Sequence, residues 1–389
     1  MRIGFLGPVT LGLLGDLLPY NTKLPIGFQF APAAQWIRAL VRRGHHVAVY
    51  TTARDVSTPV DIQGERLRIM VAPERASGAA RDFFAFERAG LQRHLDGGNC
   101  EVLHAHWTYE FALAAISSGK PTLITVHDLP WNVLRYFRDP HRVGRLMMAY
   151  AVALRGRHFT AVSEDAALHF RRYMRPGAEI DVIPNGLPDA MFDLPEPQVK
   201  ELGEACTFAT ILQGWSRRKN PVAALKAFAI ARSSLPGARL MAFGVDYEEG
   251  GPAHQWAQEH HHDEGVHFLG PLPHPELLSR LQAEVDIIVH PSLDEAFSMT
   301  ALEALAIRKP FIAGKSTPGM RDLLGGGEAG ILVDVRNPQA IADQMIRLAI
   351  DPKLRALIAQ AGYDRASRLY RLDGVMEQYE ALYTSIQVR

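Results

Sequence analysis

Glu295 and Glu303 stand in DEAFSMTALEAL, the first in a polar turn and the second on a segment rich in Ala and Leu. A strand-like run, VDIIVH (285–290), leads into the turn from Pro291 to Asp294, and helix propensity from about Ser298 to Ile307 predicts a helix beyond it. That order of strand, loop and helix start has chemical meaning. N–H groups at a helix start lack internal partners and carry partial positive charge, so phosphate binds there. Two carboxylates beside it accept hydrogen bonds from hydroxyls. Phosphate next to a polyhydroxyl group describes a sugar nucleotide; the plainer alternative has Glu295 capping the helix and Glu303 facing solvent.

A second constellation lies in ILQGWSRRKNPVAALKAF (211–228), which reads as a strand, a glycine-containing loop with Arg217, Arg218 and Lys219, and a helix. Fixed positive charge there stabilises a departing diphosphate, and a guanidinium adds a bidentate fork. A solvated basic loop is the bland reading. In TLITVHDLPW, His127 and Asp128 follow a strand directly, although a lone histidine is more often structural. HAHW adds His104, His106 and Trp107 one strand earlier. Their alternation suggests opposite faces, and a zinc site is not expected without further spaced ligands.

The elements that must position these residues alternate. RIGFLG, HVAVYT, EVLHAH, TLITVH, HFTAVS and DVIP read as strands before residue 185, with amphipathic stretches between them, including a helix from Gln29 to Arg43. A Pro- and Gly-dense break, IPNGLPDAMFDLPEP (183–197), precedes a second series: TFATILQG, ARLMAFG, GVHFLG, VDIIVHP and PFIAG. Two α/β domains follow from this, residues 1–187 and 188–365, each Rossmann-like. Ligands of open parallel sheets bind outside the carboxyl ends of strands, so the expected architecture faces two such domains across a cleft. The last segment, about 366–389, has helical spacing of apolar residues and is expected to return to the first domain.

Composition sets outer bounds. The 389 residues suffice for two or three domains, and 47% hydrophobic content supports extended cores. Lys+Arg and Asp+Glu both number 42, which gives no reason to expect nucleic-acid binding. Two cysteines, Cys100 and Cys206, offer no disulfide framework and fit a reducing compartment. MRIGFLGPVT lacks a signal peptide's apolar core, and no run of about 18 apolar residues occurs, so a cytoplasmic location is expected. Between Trp131 and Arg175, arginines far outnumber Asp139, Glu164 and Asp165. Such a face either rests on an anionic membrane or is a solvated surface paired with acids elsewhere.

Over nearly its full length the chain resembles the retaining glycosyltransferases of family 4, which have the two-domain GT-B fold. The likeness is strongest from VHFLGPLP through VDIIVHPSLDEAFSMTALEAL to EAGILVD. The resemblance implies that Glu295 contacts the donor sugar, that Glu303 holds the nucleotide ribose, and that Phe297, Ser298, Met299 and Thr300 meet diphosphate and sugar. It places Lys219 on the diphosphate, with Arg217 or Arg218 beside it, and His127 at the transferred sugar. Gly27, in PIGF, matches the first of a glycine pair that approaches phosphate or acceptor, though an ordinary turn glycine fits equally. Backbone near Gly244 and Leu272 would choose the base, UDP before GDP. Four positions depart from the pattern: Phe28, Ser298 and Arg308 where glycine is usual, and Trp215 where an arginine is usual.

The implied activity is transfer of a sugar from a nucleotide diphosphate sugar to an acceptor hydroxyl with retained configuration, with His127, Glu295 and Lys219 as catalytic residues. No Asp-x-Asp motif occurs, so neither metal nor further cofactor is expected. The acceptor is a saccharide, a lipid-linked glycan or a small aglycone. The leaving phosphate, rather than a carboxylate nucleophile, assists the acceptor's deprotonation. The alternatives are a non-catalytic sugar-nucleotide-binding protein and a sugar-nucleotide epimerase on the same scaffold.

Overall fold

A computed structural model describes residues 1–196 and 205–388. Pro197, the last residue of the expected linker, lies outside them. The chain divides into two units, Met1–Pro188 with Leu372–Arg389, and Asp189–Arg371.

The first unit holds an eight-stranded sheet: β1 (Arg2–Leu6), β2 (His46–Ala53), β3 (Val60–Gln63), β4 (Leu67–Pro73), β5 (Val102–His106), β6 (Thr122–Val126), β7 (His158–Ala161) and β8 (Asp181–Val182). Its order is β3-β4-β2-β1-β5-β6-β7-β8, and every pairing is parallel except β3 with β4. Sequence order reverses between β1 and β5. Strands β5 and β6 are buried along their whole length, which is why they read as continuous apolar runs.

The second unit holds six parallel strands: β9 (Thr207–Ile211), β10 (Arg239–Phe243), β11 (Val266–Gly270), β12 (Ile287–His290), β13 (Phe311–Gly314) and β14 (Ile331–Val333). Their order, β11-β10-β9-β12-β13-β14, reverses between β9 and β12. Each sheet therefore has one topological switch point, where adjacent loops leave in opposite directions and open a crevice at the carboxyl edge.

Three strands were not foreseen: β3, β4 and β14. The first expected helix spans Ala31–Arg42, with Pro32 in its opening turn, where a missing N–H costs nothing. The expected C-terminal segment is divided. Pro352–Leu369 belongs to the second unit, and only Leu372–Val388 returns to the first. Leu372, Val375, Met376, Tyr379, Tyr383 and Ile386 share one buried cluster with Ile3, Ile37 and Val49.

Candidate functional site

In the second unit the chemistry gathers at the switch point. The loop after β9 carries Lys219 and the loop after β12 carries Glu295, and Lys219 Nζ donates to Glu295 Oε1 at 2.5 Å. His290, the last residue of β12, places its Nε2 3.2 Å from the same oxygen. Burial works to raise the Glu295 carboxyl, but Lys219, the His290 hydrogen bond and Arg218 outweigh it and hold the group well below its usual range. A carboxylate is thus kept ionised in a largely buried place.

The surrounding loops are tied together by backbone. Leu293 N–H donates to the Arg218 carbonyl at 2.8 Å, and Asn220 Nδ2 reaches the carbonyls of Pro291 and Val335. Gly319 (φ 74°) presses on the Glu295 loop so closely that a Cβ there would stand 2.5 Å from the Ala296 oxygen. Only glycine fits that approach.

Sequence-predicted residues distribute unevenly. Arg218 joins the cluster, with Nη1 4.0 Å from Asp294, whereas Arg217 is exposed. Trp215 donates its N–H to Asp246 at 2.8 Å and packs its ring 5.9 Å from Trp256 and 6.1 Å from Tyr247. It is therefore part of the unit's packing. Ser298 is the N-cap of Met299–Ala306, its Oγ accepting from Ala301 N–H at 3.1 Å. The serine spends its side chain on the third N–H of the helix; those of Met299 and Thr300 have no carbonyl partner within the helix. Glu303 accepts from His274 Nε2 at 2.8 Å, and this hydrogen bond raises the His274 pKa. Phe297 lies 5.9 Å from the Tyr370 ring, and Leu272 is half-buried between β11 and the helix His274–Glu284.

His290 was missed by sequence reasoning. The available signal was its place as the terminal residue of a buried strand, five positions before the loop glutamate.

In the first unit, His127 follows β6 and its Nε2 lies 2.8 Å from His106 Nδ1. Its ring packs 4.5 Å from Trp107 and 5.6 Å from Trp36. Burial pulls His127 down to about 3, so the imidazole is neutral. The expectation of opposite faces for His104 and His106 is corrected here: their ring centroids are 4.1 Å apart. Residues two apart on a strand share a face. His104 serves the fold, bonding to Thr125 Oγ1 at 2.6 Å and to Tyr383 Oη at 2.7 Å.

Next to His127, Trp107 also lines a cavity of about 390 Å³ with Phe28, Arg54, Tyr109, Glu110 and Arg145. Arg145 places its guanidinium 4.7 Å from the Tyr109 ring centre and 3.5 Å from Glu110 Oε1. Gly27 has φ 62°, and the Asp55 carboxylate accepts from the N–H groups of Ile26 and Gly27 at 2.6 and 3.3 Å. Its left-handed backbone gives the glycine a turn role, while Phe28 is exposed at the cavity edge.

Residues 204–365 match the family model described as glycosyl transferases group 1, and residues 33–190 match that of glycosyltransferase family 4. Among curated proteins, the chain is 36% identical over 121 residues to a D-inositol 3-phosphate glycosyltransferase of Corynebacterium urealyticum, covering 31% of this chain and 28% of that one. To the enzyme of the same name from Corynebacterium jeikeium it is 30% identical, covering 52% and 49%. These matches span half or less of the relatives' own lengths. A counterpart from Acidothermus cellulolyticus is 27% identical with 89% and 84% covered. Among solved structures, a sucrose-phosphate synthase from Thermosynechococcus elongatus superposes with TM-score 0.78 at 18% identity, covering 99% of both chains. Anabaena HepE in complex with UDP gives 0.70 at 16%, covering 99% of this chain and 100% of that one. The fold they share is GT-B, and the chain belongs to the family 4 glycosyltransferases.

Proposed function

We propose that the protein transfers a sugar from a nucleotide diphosphate sugar to an acceptor hydroxyl with retention of anomeric configuration. The observation that carries this reading is the Lys219–Glu295–His290 cluster at the switch point of the second sheet, beside the start of Met299–Ala306. Lys219 and Arg218 supply fixed cations for the diphosphate, and the N–H groups of Met299 and Thr300 add aligned dipoles. These groups take the charge-balancing part a divalent cation would otherwise play. Glu295 accepts from sugar hydroxyls, and Glu303 from the ribose once His274 yields it.

The sugar's bond to the diphosphate oxygen breaks as the acceptor oxygen bonds to the anomeric carbon on the same face. The acceptor proton passes to the departing phosphate oxygen. His127, neutral and oriented by His106, offers its remaining ring nitrogen to the sugar.

UDP is the favoured nucleotide, since HepE structures hold UDP and UDP-glucose. For the acceptor, similar proteins are named for D-inositol 3-phosphate and, in a Bacillus anthracis synthase, for L-malate. Both are anionic hydroxyl compounds. The cavity with Arg145 suits such an acceptor, because a guanidinium matches phosphate or carboxylate bidentately.

The test is a panel of UDP- and GDP-sugars followed by thermal unfolding. A ligand at a hundredfold its dissociation constant stabilises by about 2.7 kcal/mol, and the matching nucleotide is expected to raise the melting temperature by several degrees. Lys219→Ala abolishes the shift. Slow release of free sugar, unchanged by chelator, then separates catalysis from binding alone. No response to any nucleotide overturns the proposal.

A further inference from the structure

Arg145 apart, the arginine-rich segment of the first unit takes no part in the reaction just described, and its outer surface has a distinct chemistry. The helix Pro140–Arg155 buries Gly144, Leu146, Met148, Ala149, Val152 and Ala153 on one face. Its opposite face is also apolar. Val143, Met147 and Leu154 are 45%, 54% and 77% exposed, and Tyr150 completes a row at helical spacing.

Neighbouring elements extend that row. Trp131 Nε1 donates to Tyr150 Oη at 2.9 Å, and Tyr150 donates to the Tyr173 carbonyl at 2.9 Å. This chain of bonds draws Pro130–Tyr136 and Phe170–Met174 alongside, with Trp131 and Tyr173 themselves exposed. An open depression of about 920 Å³ lies among them, lined by Trp131, Leu134, Arg135, Arg138, Val143 and Tyr173.

Charge identifies the occupant. Arg142 pairs with Asp139 and Arg145 with Glu110, while Arg171 and Arg175 donate to backbone carbonyls. Arg135, Arg138, Arg155, Arg157 and Arg172 are exposed, and none has an ion pair with a described carboxylate. A solvated face whose charges are balanced locally would have shown those pairs. Cationic side chains flanking an exposed apolar row, with indole and phenol groups at its edge, match the boundary of an anionic bilayer.

We propose that this face of the first unit docks on an anionic lipid surface, with Met147 and Leu154 entering the acyl boundary and the unpaired arginines meeting headgroup phosphates. The attachment is peripheral: no helix among the described residues is long and apolar enough to cross a membrane.

The full chain is sedimented with vesicles of phosphatidylcholine alone or with about 30 mol % phosphatidylglycerol, at salt from about 0.05 to about 0.5 M. Binding is expected only to the anionic vesicles, weakening with salt. The pair Met147→Glu and Leu154→Glu, and separately Arg135→Glu and Arg138→Glu, reduce the partition coefficient at least tenfold. Arg336→Glu with Arg347→Glu, exposed on the second unit, leaves it unchanged. Every substituted side chain is exposed, and unaltered thermal unfolding shows that each variant folds. No binding to anionic vesicles at low salt, as a protein partner for this face would give, overturns the proposal, as does equal loss in all three pairs.

Discussion

Neutral, buried imidazoles make the first unit sensitive to acid. Burial pulls His104 and His127 down to about 3 and His169 to about 4, whereas in the unfolded chain each titrates near 6.5. Below about pH 6.5 the unfolded chain binds protons that the folded chain refuses. Stability therefore falls as pH falls, by up to about 1.4 kcal/mol per pH unit for each such group, until the folded pKa is reached. Glu295 acts lower: its folded pKa lies below the unfolded value, so its contribution is complete above about pH 4.5 and lost only beneath it. Between pH 7 and 5 the imidazoles set the slope. Denaturant titrations are expected to show stability dropping across that interval, and His104→Gln, which cannot titrate, to flatten the slope by about one proton's worth. An unchanged slope would mean that His104 is protonated in the fold.

At the scale of single elements, Met299–Ala306 joins the site to the packing. Ser298 caps its start, and at its end Arg308 takes φ 55°, a left-handed turn that glycine adopts freely. The guanidinium of Arg308 lies 3.4 Å from the Tyr363 ring centroid, a contact that offsets the strain. Arg308→Ala loses the contact and keeps the strain, while Arg308→Gly loses the contact and relieves it. The alanine variant is expected to be less stable than the glycine variant by about 1 kcal/mol in chemical denaturation. Equal stabilities would show that the turn is unstrained.

This helix and the strand before it were legible because an apolar strand run and high helix propensity follow one another from Val285 to Ile307; the capping by Ser298 was not read from the sequence. The hairpin of β3 and β4 was not legible: Val60–Gln63 is only four residues long, and Leu67–Pro73 follows a charged turn and has no alternation of buried and exposed positions. Glu295 could be chosen by type and spacing, whereas Lys219 was singled out from its basic neighbours by the family resemblance. The bond between them, the part of His290 and the difference between Arg217 and Arg218 arise from tertiary folding of two distant loops, which local pattern does not encode. Trp215 looked like a lost cation and is instead packed on Trp256.

At the scale of the whole molecule, the chain path makes the two units unequal. The second is one continuous stretch, Asp189–Arg371, while the first is closed by a helix that arrives last. Six buried side chains of Leu372–Val388 enter the first unit's core. At roughly 1.5–3 kcal/mol each, their gross contribution rivals the whole net stability of an ordinary domain. Polar groups fix the helix in register: Glu380 takes both Arg43 Nε and Nη2 at 2.9 Å and lies 2.6 Å from His45, and Tyr383 meets His104. The first unit therefore cannot reach its native core until Leu372–Val388 is made. A chain ending at Arg371 is expected to lose one calorimetric unfolding transition and to bind hydrophobic dye, while retaining a second transition that still shifts with nucleotide. Tyr383→Ala should act the same way more mildly, lowering only the transition that truncation removes, by about 3–5 kcal/mol for an aromatic side chain deleted from a core. If truncation abolished both transitions, the second unit would depend on the first for its fold, and the units would be one cooperative body.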